Sequence, residues 1–357
     1  MIREYVVAKK ILNVRSKPSD ESDDTFVGQL LEGTRVWLDD TEIIGTIPKG
    51  GTSNIWLGDH RNNLVAKDGV VEASKFWIQK YGIDSLWHEV KGENVTVIII
   101  DSGLSDYGTG RFAAEKLSVV TDGANDKFGH GSLMCSIIKG HDSDIQGIAP
   151  LSSIISIKVT SDSHFKPNDL VNALTKVSEV ANRNNYYVVN CSLSTNDNSI
   201  KNELQNKIDD LSNNYNMIFT GAVGNDFDYV NDLQIMPARV DKVISVAGET
   251  LNGLRIQSSN YWENIDCLSP GEFNSDIFHQ SFPGCPLSGS SQACAFTTGL
   301  IALFLSKAFK KNRKLKHGDI KQLLFSSTDS FTTDTQFGVL TDRILNKDKL
   351  QTTFSNI

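Results

Sequence analysis

Four residues far apart in the chain carry the groups that an acyl-transfer reaction needs: a hydroxyl, an imidazole, a carboxylate and an amide donor. Ser291 stands in Gly289-Ser290-Ser291-Gln292-Ala293, a small-residue turn that feeds an apolar run from Cys294 to Phe309. A helix N-terminus presents unpaired N–H groups and the positive end of the dipole, so an alkoxide or a tetrahedral oxyanion is favoured there. Serine is also an ordinary helix cap, and the pentapeptide alone does not separate the two readings. His130 lies in Gly129-His130-Gly131, ahead of Leu133, Met134, Ile137 and Ile138, with glycines that leave the imidazole uncrowded. His60, His88, His141, His164, His279 and His317 have no comparable setting. Asp101 follows the apolar segment Val95–Ile100 and opens Asp101-Ser102-Gly103. A carboxylate at the end of a buried strand is costly without partners, although capping the next turn would also employ it. Asn225 ends a further apolar segment beginning at Phe219, where it is either a turn former or an N–H donor to a developing oxyanion.

The elements that must position these groups alternate along the chain. Val95–Ile100, Ile154–Lys158, Tyr187–Cys191, Met217–Ala222 and Val243–Ala247 read as strands, and the continuous apolar character of most of them indicates burial on both faces. Ser132–Lys139, Asn168–Asn182, Ile200–Asn213, Cys294–Phe309 and His317–Phe325 read as helices between and after them. This order predicts an α/β fold with a doubly wound parallel sheet, whose chemistry collects at the carboxyl ends of the strands. Residues 1–70 differ. Tyr5–Val7, Ile11–Val14, Phe26–Leu31, Arg35–Leu38, Glu42–Ile47 and Asn54–Leu57 are short β-type segments broken by Gly, Pro and Asp, which predicts a small all-β barrel. Glu72–Leu86 reads as helical and falls in a connecting segment, 71–90.

Composition excludes several function classes. A hydrophobic content of 39% and a charged content of 22% are those of an ordinary globular protein, and 357 residues suffice for a large core. A net charge of −8 argues against nucleic acid and against an anionic membrane surface as partners. No apolar run is expected to cross a bilayer. The first residues lack the apolar core of a signal peptide, so the expected location is cytoplasmic unless the sequence begins after a leader. Five cysteines do not suggest a disulfide framework; Cys135, Cys191 and Cys294 lie in apolar stretches and read as buried small hydrophobes. The acidic run Asp20–Asp24 reads as a solvated loop.

Taken together, the blocks V-I-I-I-D-S-G (97–103), G-H-G-S (129–132), V-N-C-S-L-S (189–194), G-A-V-G-N (221–225), P-A-R (237–239) and G-S-S-Q-A (289–293) resemble those of subtilisin-like serine peptidases, in the family's order, over residues 75–357. Leu12-Asn13-Val14-Arg15-Ser16, Pro18, Val27-Gly28, Gly33-Thr34 and Trp56 resemble a bacterial SH3-type domain. The first resemblance implies a serine endopeptidase domain over 91–357, without a cofactor. Ser291 would be the nucleophile, His130 the general base, Asp101 its orienting carboxylate, and Asn225 with the Ser291 N–H the oxyanion hole. It also implies that Ser192, Leu193 and Ser194 pair with an extended peptide, with Ala222, Val223 and Gly224 as the opposite wall of the specificity pocket. The second resemblance implies a binding or regulatory barrel over 1–70, where Trp37 and Trp56 line a peptide groove or pack in the core.

Departures from the family's pattern carry expectations of their own. Gln292 stands where Met is usual beside the nucleophile, which predicts tolerance of peroxide. Ala295 and Phe296 replace the usual Pro and His, and Ser194 replaces a glycine, which would crowd the edge of the substrate channel. The Met236–Pro237 bond is expected to be cis. Asp122, Asn125 and Asp126 read as a solvated loop in preference to a cation site, and no structural calcium or other metal site can be mapped. Two further functions fit the sequence: a narrowly specific processing protease that stays latent until a partner docks, and a non-catalytic binding module.

Overall fold

The computed structural model describes residues 2–8, 11–15, 26–32, 34–44, 55–59, 64–67, 70–72, 75–105, 114–140, 146–227, 235–273, 288–335 and 338–357. They form two compact units, Met1–Lys80 and Tyr81–Ile357.

In the first unit the described strands are β1 (Ile2–Val7), β2 (Ile11–Arg15), β3 (Phe26–Leu31), β4 (Arg35–Ile44), β5 (Ile55–Gly58), β6 (Leu64–Ala66) and β7 (Val70–Glu72). They pair antiparallel in the order β3-β2-β6-β5-β4-β1-β7. Alternation places Tyr5 and Val7 on one face with Leu12, Leu38, Leu57 and Val65, which form the core of the unit. Two segments that read separately in sequence, 35–38 and 42–47, fall largely on one strand, β4, whose pairing with β5 shifts register between Asp39 and Ile43. Trp56 is fully buried against Leu64, so of its two readings core packing is the one realised. The Asp20–Asp24 run and the Trp37 side chain lie outside the described residues. The expected helix over Glu72–Leu86 is corrected: Val70–Glu72 pairs with β1, and helix follows only as α1 (Phe76–Tyr81) and α2 (Ile83–Leu86), interrupted at Gly82.

The second unit continues with β8 (Val95–Asp101), β9 (Ala114–Ser118), α3 (His130–Lys139), β10 (Ser153–Lys158), α4 (Pro167–Val180), β11 (Tyr186–Cys191), α5 (Lys201–Asn214), β12 (Asn216–Ala222) and β13 (Val243–Glu249). It closes with β14 (Cys267–Pro270), α6 (Ser290–Lys310), α7 (His317–Ser326), β15 (Thr328–Thr335), β16 (Gly338–Leu345) and α8 (Lys347–Ser355). The sheet order is β15-β16-β14-β13-β12-β11-β8-β10-β9, parallel except for the β15–β16 hairpin. The order reverses around β8, which lies between β11 and β10. Such a switch point is where open parallel sheets bind ligands, beyond the strand carboxyl ends.

Ile98, Ile100, Ile157, Tyr187, Val189 and Phe219 turn to one face and pack on α4 and α5 through Leu170, Leu174, Val177, Leu204, Ile208 and Leu211. The residues between them face α6, which is largely apolar and buried from Gln292 to Ala308. Contrary to the expectation that no apolar run has the length, α6 is long and apolar enough to cross a bilayer, and its burial inside the unit accounts for that composition. Phe296 and Phe304 are wholly enclosed, each contributing about 1.5–3 kcal/mol over exposure. Met236–Pro237 is cis, as expected.

Candidate active site

Asp101 is the last residue of β8, and His130 is the first of α3. His130 Nδ1 lies 2.8 and 3.0 Å from the two carboxylate oxygens of Asp101. A carboxylate only accepts, so Nδ1 carries the proton and Nε2 is the basic nitrogen of the neutral ring. Asp101 Oδ1 also accepts the Ser102 N–H at 2.7 Å. The His130 side chain is mostly buried, 14% exposed, and burial alone would lower its pKa. The charge and hydrogen bond of Asp101, helped by the charge of Asp126, outweigh burial and raise the pKa above the ordinary histidine value.

The approach of α3 to the Asp101-Ser102-Gly103 turn depends on glycine. A Cβ on Gly131 would lie 2.2 Å from the Gly103 carbonyl oxygen, so any other residue would force the helix away from β8. The loop before α3 is organised by Asp126, which sequence reasoning placed in a solvated loop. That reading is corrected: Asp126 is 7% exposed because its oxygens serve as the internal acceptor of the turn. Oδ1 accepts Ser102 Oγ (2.9 Å), Phe128 N (3.0 Å) and Gly129 N (2.7 Å), and Oδ2 accepts Ser132 N (2.9 Å) and Ser132 Oγ (2.7 Å). Ser102 in turn accepts the Gly131 N–H at 2.9 Å. The sequence carries a signal, an acidic residue four positions before His130, but nothing local distinguishes an internal acceptor from a solvated side chain.

Ser291 is the second residue of α6, half-buried, with Ser290 buried behind it. The Ser290 hydroxyl donates to the Gly224 carbonyl at 3.1 Å, which makes Ser290 scaffold. The Ser290 N–H donates to Asn225 Oδ1 at 2.9 Å. That bond fixes which end of the amide is which, and leaves the Asn225 NH₂ as its donating end. The position of a Cβ on Gly289 would be 3.0 Å from both Oδ1 and Nδ2 of Asn225, so the amide lies directly against a glycine. Ser291 Oγ donates to the Ser192 carbonyl at 2.9 Å, and Ser192 Oγ donates to the Ser291 carbonyl at 2.8 Å. No hydrogen bond joins Ser291 to His130 among the described residues. Beneath this contact a buried polar column ties α6 to the sheet: Asn190 Nδ2 to Ser192 Oγ (3.0 Å), Thr298 Oγ1 to Asn190 Oδ1 (3.0 Å), and Thr298 to Thr220 (2.7 Å).

Among the described residues no hydrogen bond takes the backbone of Leu193 or Ser194, which follow β11 and Ser192, so the segment is an open edge. Ala222 ends β12, Val223 and Gly224 follow it, and all three are buried. A Cβ on Gly224 would stand 3.2 Å from Ser194 Oγ, which brings the two segments together and puts the Ser194 hydroxyl between them. Sequence reasoning missed Asn260, fully buried, which has no local signal. Its N–H donates to the Gly224 carbonyl at 3.0 Å, its Oδ1 accepts Asp226 N at 2.8 Å and its Nδ2 donates to Asp226 Oδ2 at 2.9 Å. The described cysteines, Cys135, Cys191, Cys267 and Cys294, are free and buried. Burial pushes the Cys294 thiol up to about 11 and the Cys267 thiol up to about 12, so neither is a nucleophile at neutral pH.

With this geometry in place, comparison with known proteins places the chain among relatives. The subtilase family model (Peptidase_S8) matches residues 92–346. The chain is similar to the subtilase-type proteinase psp3 of Schizosaccharomyces pombe, 26% identical over 232 residues, covering 62% of this chain and 49% of that protein. It is also similar to the subtilisin-like protease SBT6.1 of Arabidopsis thaliana, 25% identical over 293 residues, covering 78% of this chain and 27% of that protein. The aligned region thus spans half or less of the length of these two relatives. Among solved structures, the prenylagaramide maturation protease PagA superposes with a TM-score of 0.60 at 26% identity, over 76% of this chain and 98% of that chain.

Proposed function

The chain belongs to the subtilase family, and we propose that it is a serine endopeptidase working through an acyl-enzyme. The observation that carries this reading is the Asp101–His130 pair at the end of β8, at the same switch in strand order as Ser192 and its partner Ser291. In the proposed cycle Ser291 Oγ attacks the scissile carbonyl carbon while His130 Nε2 takes its proton. The new oxyanion is held by the Asn225 NH₂ and the Ser291 N–H at the start of α6. Collapse breaks the C–N bond, and imidazolium returns the proton to the leaving amine. Water then repeats the sequence to release the acid. The peptide lies against the open edge at Leu193–Ser194, with the Ala222–Gly224 segment as the pocket wall. The N-terminal all-β unit, read as SH3-like, would bind a peptide or protein partner. A cytoplasmic location is in keeping with the four free, buried thiols.

The hydrogen bond from Ser291 to the Ser192 carbonyl favours a second, narrower reading, a latent processing protease. An extended substrate that donates a backbone N–H to that carbonyl would displace the serine hydroxyl and let it rotate toward His130. Similarity to a maturation protease, PagA, and the Ser194 side chain at the channel edge accord with selective cleavage.

Cleavage of a peptide library by the wild type and by Ser291→Ala tests the proposal. Products of endoproteolysis should appear with the wild type alone. Asn225→Ala should lower kcat by about 10²–10³ with little change in KM, the ~2.7–4 kcal/mol established for one such donor in a subtilisin. Equal cleavage by wild type and Ser291→Ala would refute it.

A further inference from the structure

Asp122 and Asn125, which read in the sequence as a solvated loop in preference to a cation site, face a positive charge that the chain itself supplies. Lys158 closes β10, in register with Asp101 at the end of β8, and is completely buried. Its Nζ donates to Asp122 Oδ2 at 3.1 Å and to the Asn125 carbonyl at 2.8 Å. Asp122 Oδ2 also takes Lys127 Nζ at 2.9 Å and the Ser161 hydroxyl. The Ser161 hydroxyl, with Lys127 and Lys158, holds the Asp122 carboxyl well below the usual carboxylate range, so it stays charged beside the ammonium. Asp126 is no free ligand either, since five donors occupy its two oxygens. A divalent cation does not fit this loop: the ammonium already sits between the two groups that would bind it. A buried ammonium is costly unless paired, and both of its partners lie in one short segment, 122–125. The next residue is Asp126, which fixes the backbone at the start of α3.

We propose that Lys158 is a positioning residue for His130. Its ammonium takes the part of a structural cation, pins residues 122–125 to the end of β10 beside Asp101, and through Asp126 holds the imidazole in register with the Asp101 carboxylate. This rests on His130 being the general base.

The test uses the full chain, with two readouts. One is kcat and KM on a cleaved peptide; the other is the low-field proton resonance of His130 Nδ1–H, which does not depend on turnover. Lys158→Met should lose roughly ten- to a hundredfold in kcat with KM held within about twofold, and the resonance should broaden or vanish. Lys307→Met removes a comparably buried lysine, paired with Glu89 at 3.0 Å outside this loop, and should leave the resonance in place. Asp122→Ala alters a more exposed group and secures the test if Lys158→Met does not fold; it should weaken the resonance and kcat in the same direction. Titrating wild type with calcium, or chelating it, should not move the resonance. A folded Lys158→Met or Asp122→Ala with wild-type kcat and an unchanged resonance would overturn the proposal, as would a calcium-dependent shift of that resonance. A wild type that shows the resonance but cleaves nothing would count against the peptidase reading and leave the positioning of His130 to the resonance alone.

Discussion

At the scale of single residues, His130, the proposed general base, is expected to set the pH response. A general base must be neutral, and Asp101 and Asp126 outweigh burial to raise its pKa. The acid limb of kcat/KM should therefore lie above the ~6.5 of an unperturbed histidine. Asp126→Asn removes one of the raising charges, so the limb should move to lower pH even as activity falls. A limb that stays in place or moves up would contradict the role given to that charge. Stability runs the opposite way. A histidine whose pKa is raised on folding stabilises the protein below its unfolded pKa, and that contribution is lost as pH rises through the folded pKa. Gln292 carries a second prediction. It is buried beside the proposed nucleophile, and Met134, Met217 and Met236 are buried as well. Wild-type activity should therefore survive mild peroxide, whereas Gln292→Met should be inactivated under the same treatment. Equal half-lives in peroxide would show that position 292 is not the vulnerable one.

At the scale of elements, the segments proposed as walls of the channel are positioned from behind. Asn260 bonds the Gly224 carbonyl and both ends of Asp226, and Arg255 donates to the Asn260 carbonyl while pairing with the buried Asp342 of β16. The proposed pocket wall after β12 is thereby anchored to the C-terminal hairpin. Asn260→Ala keeps the backbone bond to the Gly224 carbonyl but removes the two side-chain hydrogen bonds to Asp226, at about 0.5–1.5 kcal/mol for each. Its effect should fall on KM and on selectivity for the side chain in the pocket more than on the rate of labelling of Ser291. A loss confined to labelling, with KM unchanged, would place Asn260 in the chemistry instead. These ties were not legible in the sequence, because Asn260 sits in a polar segment and its partners lie up to 36 positions away in the chain (260−224), with no periodic signal. The strands and helices were legible because apolar runs and helical spacing report burial directly. β9 and β14 were missed as short and mixed in character, and the Thr-rich β15 because its residues mark turns as readily as strands.

At the scale of the whole molecule, the four candidate groups come from four separate elements. Asp101 ends a strand, His130 begins a helix, Asn225 follows another strand, and Ser291 begins the buried helix α6. Their types could be read from the chain because each stands at a strand end or a Gly-flanked turn. The link between Asp101 and His130 was legible only through the family resemblance, and the seat of Asn225 against Ser290 was not legible, since both depend on close backbone approach, at Gly131 and Gly289. The bond from Ser291 to Ser192 was equally unreadable, and it is the observation on which the proposed latent reading rests. The most direct test is covalent labelling with a fluorophosphonate, read by mass spectrometry, on wild type, Ser291→Ala and His130→Ala, with and without an extended peptide. A single adduct on Ser291, absent from both variants and faster with peptide if the enzyme is latent, is the expected result. Folded wild type that takes no label under either condition, or an adduct that survives Ser291→Ala, would contradict the assignment.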